Sequence, residues 1–101
     1  MPTKRQQEMR KALRALAPRI PFADAEAVLA QAGSGTLRHL TPAASVWLAL
    51  TARVRHVHSD YDALLREGYD RDAARFFVVG AMEDKLLEWG CSRPLVEEEE
   101  P

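Results

Sequence analysis

The segment Arg53-Val54-Arg55-His56-Val57-His58-Ser59-Asp60-Tyr61-Asp62 gathers most of the residue types that could do chemistry in this chain. An imidazole beside a carboxylate suits general acid–base work, because the acid orients the ring and stabilises its charged form. On a helix, His56–Asp60 and His58–Asp62 are i,i+4 neighbours. A metal could use either pair as two ligands, but a catalytic zinc needs a third protein ligand. The remaining histidine, His39, lies in a different segment, and the H-E-x-x-H spacing of zinc proteases is missing. A nucleophilic site could draw on Ser59, His56 or His58, and Asp62. Neighbours on a helix point apart, however, and no glycine elbow presents the serine. Simple ion pairing is the favoured expectation, either within the helix or to Arg71 and Arg75 downstream. No catalytic residue, metal or cofactor is expected.

Positioning this segment falls to helices, since the local signals are helical and glycine and proline punctuate them. The first helix is predicted over 3–17, with Met9, Leu13, Leu16 and Ile20 on one stripe and Lys4, Arg10, Lys11 and Arg14 opposite. Pro18 and Pro21 end it. A second helix is predicted over 23–32, with Asp24 and Glu26 in its first turn, where they suit the positive end of the helix dipole. Gly33-Ser34-Gly35 stops it, and 33–40 reads as a loop with Leu37 and Leu40 tucked inward. Thr41-Pro42 is a start signal, an N-cap followed by proline at the first helical position. From there Ala43, Val46, Trp47, Leu50, Val54, Val57, Tyr61, Leu64 and Leu65 share an arc of about 100°. That stripe predicts one helix over 42–66, about 37 Å long at 1.5 Å per residue. A new N-cap at Ser59 to Asp62 would break it, but an unslipped stripe favours continuity. Gly68 supplies the stop. Asp70 caps a last helix over 71–89, whose stripe is Ala74, Phe77, Val78, Ala81, Leu86 and Trp89; Gly80 inside it suggests a close crossing with the long helix. The expected fold is all-α, a compact bundle of about four helices around the long one, in a single domain over 1–94. An acidic tail over 95–101 is expected to be disordered.

Length and charge bound the function further. The chain has 101 residues, 47% hydrophobic and 29% charged, which is globular composition. One cysteine, Cys91, excludes an intramolecular disulfide and fits a reducing, cytoplasmic setting. No apolar run is long enough for a membrane helix, and the start lacks the apolar core of a secretory signal. The net charge of −1 is unevenly spread: without the four glutamates at 97–100, 14 basic residues face 11 acidic ones. The basic face of the first helix could contact phosphates through Lys4, Arg10, Lys11 and Arg14, although no known nucleic-acid-binding signature accompanies it. Leu48, opposite the main stripe of the long helix, needs either central burial or a partner. A non-enzymatic interaction module, bound to a protein partner or to itself, is therefore the leading expectation. Nucleic-acid binding is the alternative, and an enzyme using the Arg/His/Asp cluster comes third.

The run Arg55-His56, Ser59-Asp60-Tyr61-Asp62, Leu64-Leu65, Gly68, Arg71 and Ala74-Arg75 resembles the domain-of-unknown-function family 2293, whose members look like R-H-x-x-[ST]-D-Y-D-x-L-L-x-x-G-x-x-R-x-x-A-R. The family has no assigned activity, so the resemblance implies no catalytic residues. It implies that the cluster Arg55, His56, Asp60, Tyr61, Asp62, Arg71 and Arg75 is a family feature. Physically this motif reads as a helical corner, in which Arg71 and Arg75 return to clasp Asp60 or Asp62.

Overall fold

The computed structural model describes residues 1–95 and is all-α. Five α-helices are joined by short turns: α1 (Lys4–Leu16), α2 (Phe22–Ala32), α3 (Pro42–Val57), α4 (Tyr61–Arg66) and α5 (Arg71–Glu88), with a 3₁₀ segment, Gly35–His39, between α2 and α3. Three of the helices start on side chains that satisfy otherwise unbonded backbone N–H groups. The Thr3 hydroxyl accepts from Gln6 N (3.0 Å) while Gln6 Oε1 accepts from Thr3 N (2.9 Å), a complete capping box. Thr41 accepts from Ala44 N (3.2 Å) and Asp70 from Ala73 N (2.8 Å). At the other end of the chain, Arg19 closes α5. Its backbone N–H reaches Trp89 O (2.8 Å), and its guanidinium donates to Glu88 O and Leu87 O (both 3.2 Å).

The predicted helix over 42–66 is two helices. Its first part ends at Val57, and α4 begins at Tyr61. Ser59 makes the break. Its hydroxyl donates to Arg55 O, the acceptor that a continuing helix would give to the Ser59 N–H, and accepts from Tyr61 N (3.2 Å). A serine offering the backbone these local alternatives competes directly with the helical ladder. Val57, at the end of α3, is consequently exposed, whereas Tyr61 is buried.

Helix α3 sits at the centre and packs against every other helix and the 3₁₀ segment. Its Val46, Ala49, Leu50 and Val54 meet Met9 and Leu13 of α1, Val28 and Ala32 of α2, and Ala74, Val78, Met82 and Leu86 of α5 in one core. Central burial thus accounts for much of α3, but not for Leu48, which is exposed. Of the two expected loop anchors, Leu37 packs on the core and Leu40 remains exposed, its carbonyl accepting from Arg5 (2.7 Å). Arg5 also donates to Ser45 Oγ (2.9 Å) and Leu37 O (3.3 Å), which ties α1 to the start of α3.

On α5 the buried row is Ala74, Val78, Met82 and Leu86, while Phe77 and Ala81 face outward. Both adjacent rows are apolar, so periodicity alone cannot choose between them. Gly80 is exposed, and a Cβ there would meet nothing within 4 Å, so it marks no close crossing in this chain. Of the expected acidic tail, only Leu95 lies among the described residues. It packs on the core, and its N–H donates to Glu83 (3.2 Å).

Two glycines test this description with opposite signs. Gly68 has φ 106°, and a Cβ there meets no atom within 4 Å, so backbone conformation alone demands glycine. Gly68→Ala should lower the unfolding free energy by about 1–3 kcal/mol. Gly80→Ala, in open space within a helix, should raise it by about 0.5–1 kcal/mol. Urea unfolding of the two variants measures both.

Candidate functional site

The polar cluster is built around the break between α3 and α4. Because the chain turns at Ser59, the i,i+4 pairs His56–Asp60 and His58–Asp62 do not form. His56 Nδ1 meets Asp62 Oδ1 instead, at 2.8 Å across the turn. Its ring stands edge-on to Tyr61, centroids 5.3 Å apart, and the Arg55 guanidinium lies 5.8 Å from the Tyr61 ring centre. Tyr61 is the buried plug of this corner. Asp60 occupies the N-cap position of α4 but makes no side-chain capping bond.

His58 turns the other way, onto α2. Its Nε2 lies 2.8 Å from Asp24 Oδ1, and the same oxygen accepts Arg53 Nε, also at 2.8 Å. A carboxylate only accepts, so His58 carries a proton on Nε2. The His58 ring is edge-on to the buried Trp89, centroids 5.2 Å apart. Asp24 is only 7% exposed. Burial pushes its carboxyl pKa up, but the hydrogen bonds and positive charge of His58 and Arg53 outweigh burial and hold it below the ordinary value.

The expected clasp of Arg71 and Arg75 on Asp60 or Asp62 is not made. Both arginines are exposed, and among the described residues neither forms an ion pair with those aspartates. Asp62 is taken by His56, and the strongest tie of the region is to α2, through Asp24. Sequence reasoning placed Asp24 at the helix dipole and missed that role. The available signal was its position four residues before Val28 and eight before Ala32, on the buried side of α2. It also missed Arg5, which sits on the Met9–Leu13 side of α1.

Chemically, this arrangement holds polar groups in place. The Ser59 hydroxyl is committed to backbone on both sides, so Ser59, histidine and Asp62 do not assemble as a nucleophilic set. Among the described residues, no three His, Cys, Asp or Glu side chains gather where they could hold a metal. No described helix is long and apolar enough to cross a membrane.

Two surfaces remain open. Along α1, Lys4, Arg10, Lys11 and Arg14 all face solvent. Arg10 pairs with Glu26 (3.4 Å), and the other three make no ion pair among the described residues. Between α3 and α5 runs a groove whose floor includes Thr51 and Met82 and whose walls include Leu48, Val79 and Phe76. The corner that positions this groove is the one the sequence motif describes, running from Arg55 through Gly68 to Arg75. A family model described as Uncharacterized conserved protein (DUF2293) matches residues 12–90. The chain belongs to this family. No curated protein and no solved structure matches it. The part of the DUF2293 match preceding the motif takes in α2 and most of α3, and therefore Asp24 and Arg53, while His58 lies within the span of the motif.

The Asp24 tie has a pH signature. A carboxyl whose pKa is lowered by folding adds stability above its unfolded pKa, and that stability is lost as pH falls through the folded value. Asp24→Asn should cost about 1–3 kcal/mol at neutral pH, because Arg53 and His58 lose their anionic acceptor. The difference from the parent chain should shrink as pH drops below about 3.8, the ordinary value for the group. Parallel urea titrations of the two proteins between neutral and strongly acid pH measure this. A difference that stays constant would remove the electrostatic role of Asp24.

Proposed function

We propose that this chain is a non-enzymatic interaction module that binds a protein, either another chain or a second copy of itself, through the outward face of α5 and the groove beside it. The observation carrying this is a cluster of exposed aromatic rings. Tyr69 and Phe77 stand edge-on at 5.5 Å, and Phe76 and Phe77 at 5.7 Å. Phe76 is 76% exposed and Phe77 57%. Single apolar residues on a surface need no explanation, but contiguous aromatic patches mark interaction sites. Aromatic residues are also enriched where interfaces gain most of their energy. A cytoplasmic setting belongs to the proposal, supported by a single cysteine that is a buried thiol.

Hydroxyl-radical footprinting tests the patch without knowledge of the partner. Oxidation of Phe76, Phe77 and Tyr69 is compared between the purified chain at low concentration, the purified chain at high concentration, and the chain in cell extract with and without nuclease. Several-fold protection that survives nuclease in the extract, or that appears at high concentration, is expected. Equal oxidation in every sample would defeat the proposal, and protection that vanishes with nuclease would move it to nucleic acid.

A second function is favoured by the open cations of α1. Lys4, Lys11 and Arg14 lie on one solvent face, where they could contact phosphates. Three such contacts predict that log K falls with log salt with a slope of about −3. The double variant Lys11→Glu, Arg14→Glu should abolish binding to a mixed-sequence duplex in an anisotropy titration. A flat salt response would count against this function.

A further inference from the structure

We infer that the groove between α3 and α5 receives an acidic, amphipathic segment of a protein partner. Its apolar side chains would lie on Leu48, Val79 and Met82, and its carboxylates on Arg75 and Arg93. This rests on the protein-binding function proposed above and names the chemistry of the partner.

Charge is the first argument. Among the described residues lining the groove, the exposed Arg75 and Arg93 face one acid, Asp72, in a chain whose overall charge is close to neutral. Guanidinium groups flanking apolar side chains match a segment carrying carboxylates beside an apolar stripe. Chemistry of the lining is the second. Leu48 and Val79 on the walls and Met82 on the floor are aliphatic or thioether side chains, which pack against other side chains rather than against flat bases. Single-stranded nucleic acid bound here would need open ring faces for stacking. The Trp47 ring is already covered by the Arg93 guanidinium, 4.0 Å from its centroid. That leaves Phe76, at the rim, as the open ring. The third argument is shape. The groove follows two helices, α3 of 16 residues and α5 of 18, and such a cleft accepts an amphipathic helix through anchors at i, i+3 or i+4, and i+7. Leu48 then has a role that the fold of the isolated chain does not give it.

Selection from a displayed random-peptide library on the full chain tests the inference. Recovered sequences should be enriched in Asp and Glu, with apolar residues at helical spacing. A labelled synthetic copy of the best one should bind the parent chain. It should bind at least about tenfold more weakly to Arg75→Glu, Arg93→Glu and to Leu48→Asp. All three positions are exposed, and far-UV circular dichroism and melting should confirm that the variants stay folded. Neutral or basic selected peptides, no enrichment at all, or acidic peptides that both variants bind as well as the parent would each overturn the inference. So would an oligouridylate that displaces the peptide, which would assign the groove to nucleic acid. If footprinting still shows nuclease-resistant protection of Phe76 and Phe77 in those cases, only the partner's chemistry is wrong. If that protection is missing too, the protein-binding function falls with it.

Discussion

A single carboxylate oxygen, Oδ1 of Asp24, receives both the Arg53 guanidinium and the His58 ring, each at 2.8 Å. The two donors sit at the C-terminal end of α3, and the acceptor is in the first turn of α2. The His58 ring in turn stands against Trp89, just beyond α5. One anion therefore joins three helices at the point where the chain leaves the core helix. Taking a carboxylate this far out of water is unfavourable unless it is fully compensated. Two charge-assisted donors supply that compensation, and the lowered Asp24 pKa is the balance of the two effects. Removal of either donor would leave a buried anion short of partners, so the geometry at the end of α3 is tightly held.

That fixed end gives the break at Ser59 its direction. His58 is committed to α2, while His56, two residues earlier, reaches forward to Asp62 on α4. Between them the Ser59 hydroxyl takes over a backbone carbonyl and an N–H that the helix would otherwise pair. Tyr61 then inserts under the corner, covered by the His56 edge and the Arg55 guanidinium. Gly68 allows the next reversal with a positive φ that other residues resist. Arg53, His56, His58, Ser59 and Asp62 of the polar collar thus make contacts that hold the corner between α3 and α4.

Much of this was legible in the sequence, because caps and stops act locally. Thr41-Pro42, Asp70 and Gly33 each mark a real helix boundary. The break was hidden for a geometric reason. Three residues, His58 to Asp60, separate α3 from α4, and three residues are nearly one helical turn. The apolar stripe therefore returns almost in register on the far side, and periodicity cannot distinguish a turn of helix from a turn of bent chain. The partners of the cluster were illegible for a different reason. Local spacing ranks His56 with Asp60 and His58 with Asp62, whereas Asp24 lies 34 residues from His58 in the chain. Only the packing of α2 on α3 brings those two together. On α5, where Phe77 and Val78 are neighbours on the wheel, the choice of inward row was likewise tertiary.

The structure also separates the motif residues that the fold uses from those it leaves over. Ser59 shapes the turn, Tyr61 and Ala74 are buried, Asp62 holds His56, and Gly68 supplies the reversal. Arg71 and Arg75 have no such part. Both are exposed on α5, and neither returns to Asp60 or Asp62. Arg75 lines the groove beside α3, together with Phe76, the next residue in the chain. A solvated arginine adds little to stability by itself, and an outward phenylalanine adds less than a buried one. These two arginines therefore lie along the same helix as Phe76 and Phe77 of the aromatic patch, and burial in the chain's own core accounts for none of the four.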